Sequence, residues 1–312
     1  MKLVDALGRR SRSVDKAPSG KTIVITAYDR AILDLLRRYR YLPSTWIIKL
    51  LQLDPQWAKR RLSQLRHDAL LIECAKGTWG TNRYYQPAVY SLTPKGEALG
   101  TPCLKFGNRV KHDLLACLAM ASLELGCREQ GLKLYEWEHL QKREHCTTTE
   151  WKLALKQGRT LQPDWPPRAI GNTNLFYFYG VEIDRDTEPL KGEAHKTIER
   201  MYEDYFQILS SQSYKALGLP RILIPIITVN ETRKRSLMEK LKEVAGDNST
   251  KSFIFTTIPD ILTDDFDFPA PSGFLLNQDW DTMTGTFNII GTLNGHRETQ
   301  PNSRTDRAEK ED

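Results

Sequence analysis

The stretch LQPDWPPRAIGNTNLFYFYGVEIDRDTEPL, residues 161–190, decides how the fold is read. Pro163 and Asp164 stand just before a loop, and the aromatic and aliphatic run that follows, residues 175–185, has the composition of one long strand. It ends in two carboxylates, Glu182 and Asp184. Residues i and i+2 of a strand project from one face, so these two are expected to point the same way. A short strand ending at Asp164 and paired with the long one would bring a third carboxylate alongside. Three carboxylates at close quarters repel unless a cation joins them, and clustered oxygens are what Mg²⁺ or Mn²⁺ takes as ligands. The plainer alternative is a solvated pair at a sheet edge, neutralised by a neighbour such as Arg185.

Elements on either side extend the pattern. Residues 109–127, RVKHDLLACLAMASLELGC, read as an apolar-rich helix, and LKLYEWEH (132–139) alternates as a strand. Residues 141–160 are polar and ambiguous. After the carboxylates come a helix in GEAHKTIERMYEDYFQILSSQ, a buried strand in RILIPIITV, an amphipathic helix closed by Gly246 and a last strand in SFIFTTIP. Helix, three strands, helix, strand is the order of restriction-endonuclease-like folds, and the chain resembles their PD-(D/E)XK signature: Pro163-Asp164, seventeen residues, then Glu182-Ile183-Asp184. That resemblance implies an αβββαβ domain with Asp164, Glu182 and Asp184 as metal ligands and catalytic groups. It also implies a lysine two residues after the glutamate, where Asp184 stands. Lys196, on the following helix, is the nearest substitute. Without a lysine, either the metal activates water alone or the site is inactive. In such nucleases an acid on the first helix completes the metal shell, which makes Asp113 a candidate ligand and His112 a weaker one.

The N-terminal third is built differently. Residues 1–100 carry 18 Lys and Arg against 8 Asp and Glu, while the remainder holds 27 against 31. A basic module on a near-neutral body points to a polyanion partner. Residues 1–20 read as a flexible basic arm. Thr26 is placed as the N-cap of a first helix, Ser44 and Thr45 open a short second one, and Asp54-Pro55 begin a third. On the third, Ala58, Leu62, Leu65 and Ala69 face the core. Gln56, Lys59, Arg60, Ser63 and His67 are left outside, the donors a helix needs in a DNA groove. A strand, a glycine-containing turn with Lys76 and Arg83, and a second strand ending in YSLTPKGEAL complete the order of a winged helix-turn-helix over residues 21–100. Lys76 and Arg83 fall on its wing.

Composition narrows the rest. No apolar run reaches membrane-spanning length, and the N-terminus lacks a signal-peptide core. Five scattered cysteines, none at CxxC spacing, suggest neither a zinc site nor a disulfide framework, and a reducing cytoplasm fits them. There is no Walker A sequence and no His-apolar-His triplet, which argues against an ATPase and against a histidine-metal relaxase. Tyr202 and Tyr205 read as packing residues. Residues 292–312 lack large apolar groups after Leu293 and are expected to be disordered.

Taken together, the winged helix, HDLL opening a helix, PDW, and VEIDRDTEP followed by a Lys- and Tyr-bearing helix resemble the replication-relaxation family of plasmid and mobile-element proteins over roughly residues 20–290. MobC-type relaxases are similar in plan. The resemblance implies action on double-stranded plasmid or mobile-element origin DNA: recognition, nicking or relaxation, in support of replication or conjugation. A second copy of the chain, or relaxosome and replication proteins, are further partners to expect, and a membrane is not. Three readings stay open at this point. One is a Mg²⁺- or Mn²⁺-dependent nickase with an N-terminal winged helix and a restriction-endonuclease-like domain over residues 105–291. The second is a DNA-binding accessory factor or repressor that uses its second domain for dimerisation or recruitment. The third is a nuclease-fold subunit of a transposon or phage machine.

Overall fold

The computed structural model describes residue 19 and residues 22–74, 87–100, 110–143, 145–172, 175–185, 188–192, 197–258 and 269–293. The expected basic arm apart from residue 19, the wing with Lys76 and Arg83, and the expected tail from 294 onward lie outside them, as does Lys196, while residues 292–293 of that tail end a helix. The protein is a mixed α and β structure. It divides into two compact units, residues 1–131 with 258–275, and residues 132–257 with 276–312.

The first unit begins with α1 (Ala27–Tyr39), β1 (Leu42–Pro43), α2 (Ser44–Leu51) and α3 (Pro55–His67). β2 (Ile72–Cys74), β3 (Val89–Leu92), α4 (Pro94–Glu97) and the long α5 (Val110–Glu129) follow. α1 starts where Thr26 and Asp29 form a reciprocal capping box. α3 starts at the Asp54 cap with Pro55 in its first turn. The three strands form one antiparallel sheet in the order β1-β3-β2, with Leu42 opposite Tyr90 and Ile72 opposite Leu92. Ile32, Leu36, Trp46, Ile47, Leu62 and Leu65 are fully buried between helices and sheet.

α5 is buried all round: every residue from Asp113 to Cys127 is buried, Asp113, Ser122 and Glu124 among them. A helix with no solvent-facing side belongs in a core. The sequence reading assigned this helix to the second domain, yet it groups with the first unit. Its Glu124 accepts a 2.5 Å bond from the Tyr39 hydroxyl and pairs with Arg38 at 3.2 Å. A late segment joins the same unit: Pro269 accepts from the Trp46 indole, and Ser122 bonds both Ser272 and Leu275.

The second unit contains β4 (Lys133–Tyr135), α6 (Trp137–Leu140), β5 (Leu153–Ala154), β6 (Thr160–Leu161), β7 (Arg168–Gly171), β8 (Leu175–Phe178) and β9 (Glu182–Asp184). Next come α7 (Ile198–Ser211), β10 (Ile224–Thr228), α8 (Glu231–Ala245) and β11 (Phe253–Thr257). α9 (Phe274–Asn277) straddles the division between the units, and β12 (Trp280–Thr282), β13 (Gly285–Phe287) and α10 (Ile289–Leu293) end the described chain. β4, β7 and β8 form an antiparallel meander, while β9, β10 and β11 run parallel in a five-stranded sheet completed by β12 and β13. The ambiguous region 141–160 supplies β5, whose antiparallel partner is β6.

The long strand expected over 175–185 is two strands in two sheets. The break falls at Tyr179 and Gly180, where Gly180 takes a left-handed φ of +79°. Backbone bonds between Tyr179 and Leu223, and between Leu223 and Tyr177, carry the chain past the break beside the start of β10. LKLYEWEH is likewise shorter as a strand than expected, because α6 begins at Trp137. Asp164 lies in a bend rather than on a strand, and Trp165 pairs with Val181 in an isolated antiparallel bridge.

Candidate functional site

β9 is three residues long, and all three are buried. Its side chains explain what each carboxylate does. Glu182 is 5% exposed, and one of its oxygens accepts a short hydrogen bond from the Tyr205 hydroxyl. Tyr205 comes from the middle of α7 and is fully buried, edge-on to Tyr179 at 6.4 Å and to Phe253 at 6.1 Å. Burial first, then the charge of Glu182, pushes the Tyr205 phenol well above its ordinary range. Asp164 adds to that shift, so both carboxylates act on one phenol, and Tyr205 stays a protonated donor. A β-carbon at residue 180 would collide with the Tyr205 hydroxyl. Gly180 is therefore required twice, for its positive φ and for the close approach of the ring.

Asp164 is half-buried and accepts from the backbone N–H of Ile183 at 3.0 Å, which fastens it between Glu182 and Asp184. Asp184 does share the face of Glu182, as strand alternation demands, but it meets a different partner. Arg233, from the first turn of α8, grips both its oxygens at 2.8 and 3.1 Å, and the Thr228 hydroxyl donates at 3.0 Å. Arg233 and Asp184 are 8% and 5% exposed, so this is a buried, forked ion pair. The expected three-carboxylate cluster thus resolves into two arrangements: Asp164 and Glu182 beside Tyr205, and Asp184 neutralised by Arg233. Among the described residues no three His, Cys, Asp or Glu groups come together as a metal cage. Asp113 belongs to the first unit, where its carboxylate pairs with Arg40 at 3.4 Å and lies 3.5 Å from the His112 ring.

A cavity of about 860 Å³ opens beside Glu182. β6 and the residues on either side of it contribute Arg159, Thr160 and Gln162, and α7 with its N-cap contributes Thr197, Arg200 and Asp204. Arg159 pairs with Asp204 across this cavity at 2.8 Å. Burial raises the Asp204 carboxyl, and the charge of Arg159 opposes the rise.

In the first unit, α3 turns Ala58, Leu62 and Leu65 inward. Gln56, Lys59 and Arg60 are exposed, and Ser63 and His67 are half-buried. Arg61, the third member of the basic run, does not share the outer face. Its guanidinium holds buried Asp29 at 2.6 Å, the Val24 carbonyl at 2.7 Å and Gln64 at 3.0 Å. Burial acts to raise the Asp29 carboxyl, but hydrogen bonds from Arg61 and Thr26 outweigh it and hold the group below its ordinary range.

Sequence reasoning missed Tyr205 as an oriented donor, and it missed Arg233 and Gly180 altogether. The only available signal was Gly180 itself, a glycine inside an otherwise continuous strand pattern, which marks a bend or a close approach. A family model for replication-relaxation matches residues 33–219, more than half of the 312-residue chain, and runs across both units from α1 to just beyond α7. The chain belongs to the replication-relaxation family. No curated protein and no solved structure matches it. Among the described residues no helix is long and apolar enough to cross a membrane.

Proposed function

We propose that this protein acts on the DNA of a plasmid or other mobile element, with a winged helix in its first unit and a restriction-endonuclease-like domain in its second. On this reading α3 docks the duplex through Gln56, Lys59, Arg60, Ser63 and His67, and the second unit nicks one strand. The observation that carries the nuclease half is Glu182, a buried carboxylate aimed by a phenol on the wall of an open cavity, with Asp164 fastened beside it. The element order supports the same half. β7, β8 and β9, then α7, then β10 parallel to β9 follow one another in the βββαβ order expected of such a domain. The α-helix, short strand, two α-helices and strand pair of the first unit support the winged helix.

Mg²⁺ commonly binds through one or two carboxylates and fills its octahedron with waters and phosphate oxygens. Asp164 and Glu182 fit that demand. Asp184 does not, because Arg233 already occupies both its oxygens. Mg²⁺ or Mn²⁺ held there would supply an activated water and offset the charge of the phosphate. The protein's own part is to orient Glu182 through Tyr205 and to hold Asp164 through the Ile183 amide.

The test is nicking of supercoiled plasmid carrying the element's own origin across a Mg²⁺ and Mn²⁺ series, wild type beside Glu182→Gln. Nicking by the wild type and none by the variant is expected. An intact plasmid throughout would remove the nuclease half. One observation favours the second reading, a DNA-binding accessory factor without cleavage. The cations among the described lining residues of the cavity are Arg159 and Arg200, both arginines, and Asp184 stands where the nuclease motif has lysine. That reading expects DNA binding that is indifferent to Glu182→Gln and to metal.

A further inference from the structure

Beside α3, on the flank that faces α1, lies a small apolar rim. Val24 is 79% and Tyr28 61% exposed, two of four large apolar side chains so exposed among the described residues. The Tyr28 ring stands edge-on to Trp57 in the first turn of α3, with centroids 5.5 Å apart at 65°. Arg61 braces the arrangement from beneath, because it holds the Val24 carbonyl and the Asp29 carboxylate with one guanidinium. The rim is thereby fixed against α3 rather than carried on a loose segment. The same two helices expose Gln56, Lys59 and Arg60 of α3 and Arg30 of α1, which add donors and positive charge to this part of the unit.

Apolar groups held in the open by a half-buried brace are left in contact with water unless a partner covers them. The exposed cations of α3 and α1 select a polyanion, and a DNA strand offers both halves of the match: phosphates for the cations, and deoxyribose with thymine methyl groups for an apolar edge. We propose that Val24, Tyr28 and Trp57 form the apolar margin of the DNA-contacting surface, with the Tyr28 ring packed on sugar and thymine methyl groups next to the groove that α3 enters. This rests on the reading of α3 as the DNA-binding helix, and it adds residues of α1 and of the segment before it to that surface.

The experiment measures binding of the full chain to a fluorescein-labelled mixed-sequence duplex by anisotropy over a salt series. Tyr28→Ala and Val24→Ser are expected to weaken binding at every salt concentration, Tyr28→Ala by roughly five- to tenfold, without altering the slope of log K against log salt. No charge is removed, so no counterion is involved. Tyr28→Phe should bind like the wild type. Lys59→Ala and Arg60→Ala should each flatten the slope by about 0.9. If the two basic variants behave so while Tyr28→Ala and Val24→Ser bind normally, the rim is no part of the surface. If none of the four weakens binding, the reading of α3 itself fails, and the rim with it. A melting curve of Tyr28→Ala at the wild-type temperature separates lost contact from lost fold. Should that variant melt early, Val24→Ser, ahead of α1, decides the matter alone.

Discussion

The Tyr205 phenol donates to Glu182, and that contact makes the sharpest residue-scale prediction. Tyr205→Phe keeps the ring among Tyr179 and Phe253 and removes only the donor. The fold should survive with a loss of about 1 kcal/mol in urea denaturation. Mn²⁺ binding by calorimetry and Glu182-dependent nicking should each drop about tenfold, one energy unit of about 1.4 kcal/mol. Unchanged Mn²⁺ affinity in Tyr205→Phe, alongside a loss in Glu182→Gln, would mean that the phenol only packs. Gly180→Ala should destabilise the second unit by about 1–3 kcal/mol, from its positive φ and from the blocked hydroxyl. The cost should shrink in the Tyr205→Phe background, a coupling a double-mutant cycle reads directly. Asp184 makes a different prediction. Arg233→Ala leaves its carboxylate buried and unpaired, and should cost about 3–5 kcal/mol. A cost below 1 kcal/mol would show that the pair is not what anchors α8 to β9.

At the scale of elements, the basic run of α3 is divided between a buried partner and solvent, which its sequence runs together. Lys59, Arg60 and Arg61 are consecutive, and nothing in the residue types separates them. Helical rotation does: Arg61 falls on the flank toward α1 and meets Asp29, while Lys59 and Arg60 stay outside. Arg61→Ala is therefore expected to destabilise the first unit, by about 3–5 kcal/mol, rather than to lower the salt slope of DNA binding. Its pH dependence has a definite sign. The folded Asp29 carboxyl titrates below its unfolded value of about 3.9. The stabilisation is thus complete above that value and is lost as pH falls through the lower, folded one. Acid melting curves of wild type and Asp29→Asn should converge as pH falls below the unfolded value of about 3.9, and curves that stay parallel would contradict the pair. The β8–β9 break is the other event at this scale. A run of strand-forming residues from Leu175 to Asp184 gives no sign of changing sheets except at Gly180. The change is what sets Glu182 against α7 and Asp184 against α8.

For the whole molecule, two units with their own cores suggest separable functions. Arg60→Ala should lose DNA affinity and keep Mn²⁺ binding, and Glu182→Gln should do the reverse. A variant in which both fall together without unfolding would contradict the division of labour. The chain passes between units at 131–132, 257–258 and 275–276, which no local pattern announces. Much else was legible beforehand. The caps at Thr26 and Asp54, the inward face of α3, the buried strand β10 and the pairing of Glu182 with Asp184 on one face follow from periodicity and local hydrogen bonding, which act over a few residues. Family membership was legible as well, in short motifs around Asp164 and Glu182. What the tertiary structure alone decided were partners distant in sequence. Tyr205 aims Glu182 from 23 residues away, Arg233 neutralises Asp184 from 49, Arg61 reaches back 32 to Asp29, and α5 joins the first unit. A sequence specifies which groups need a partner, because a buried charge or donor cannot stay unmet. Which partner arrives depends on how helices and strands pack, and only the assembled core settles that.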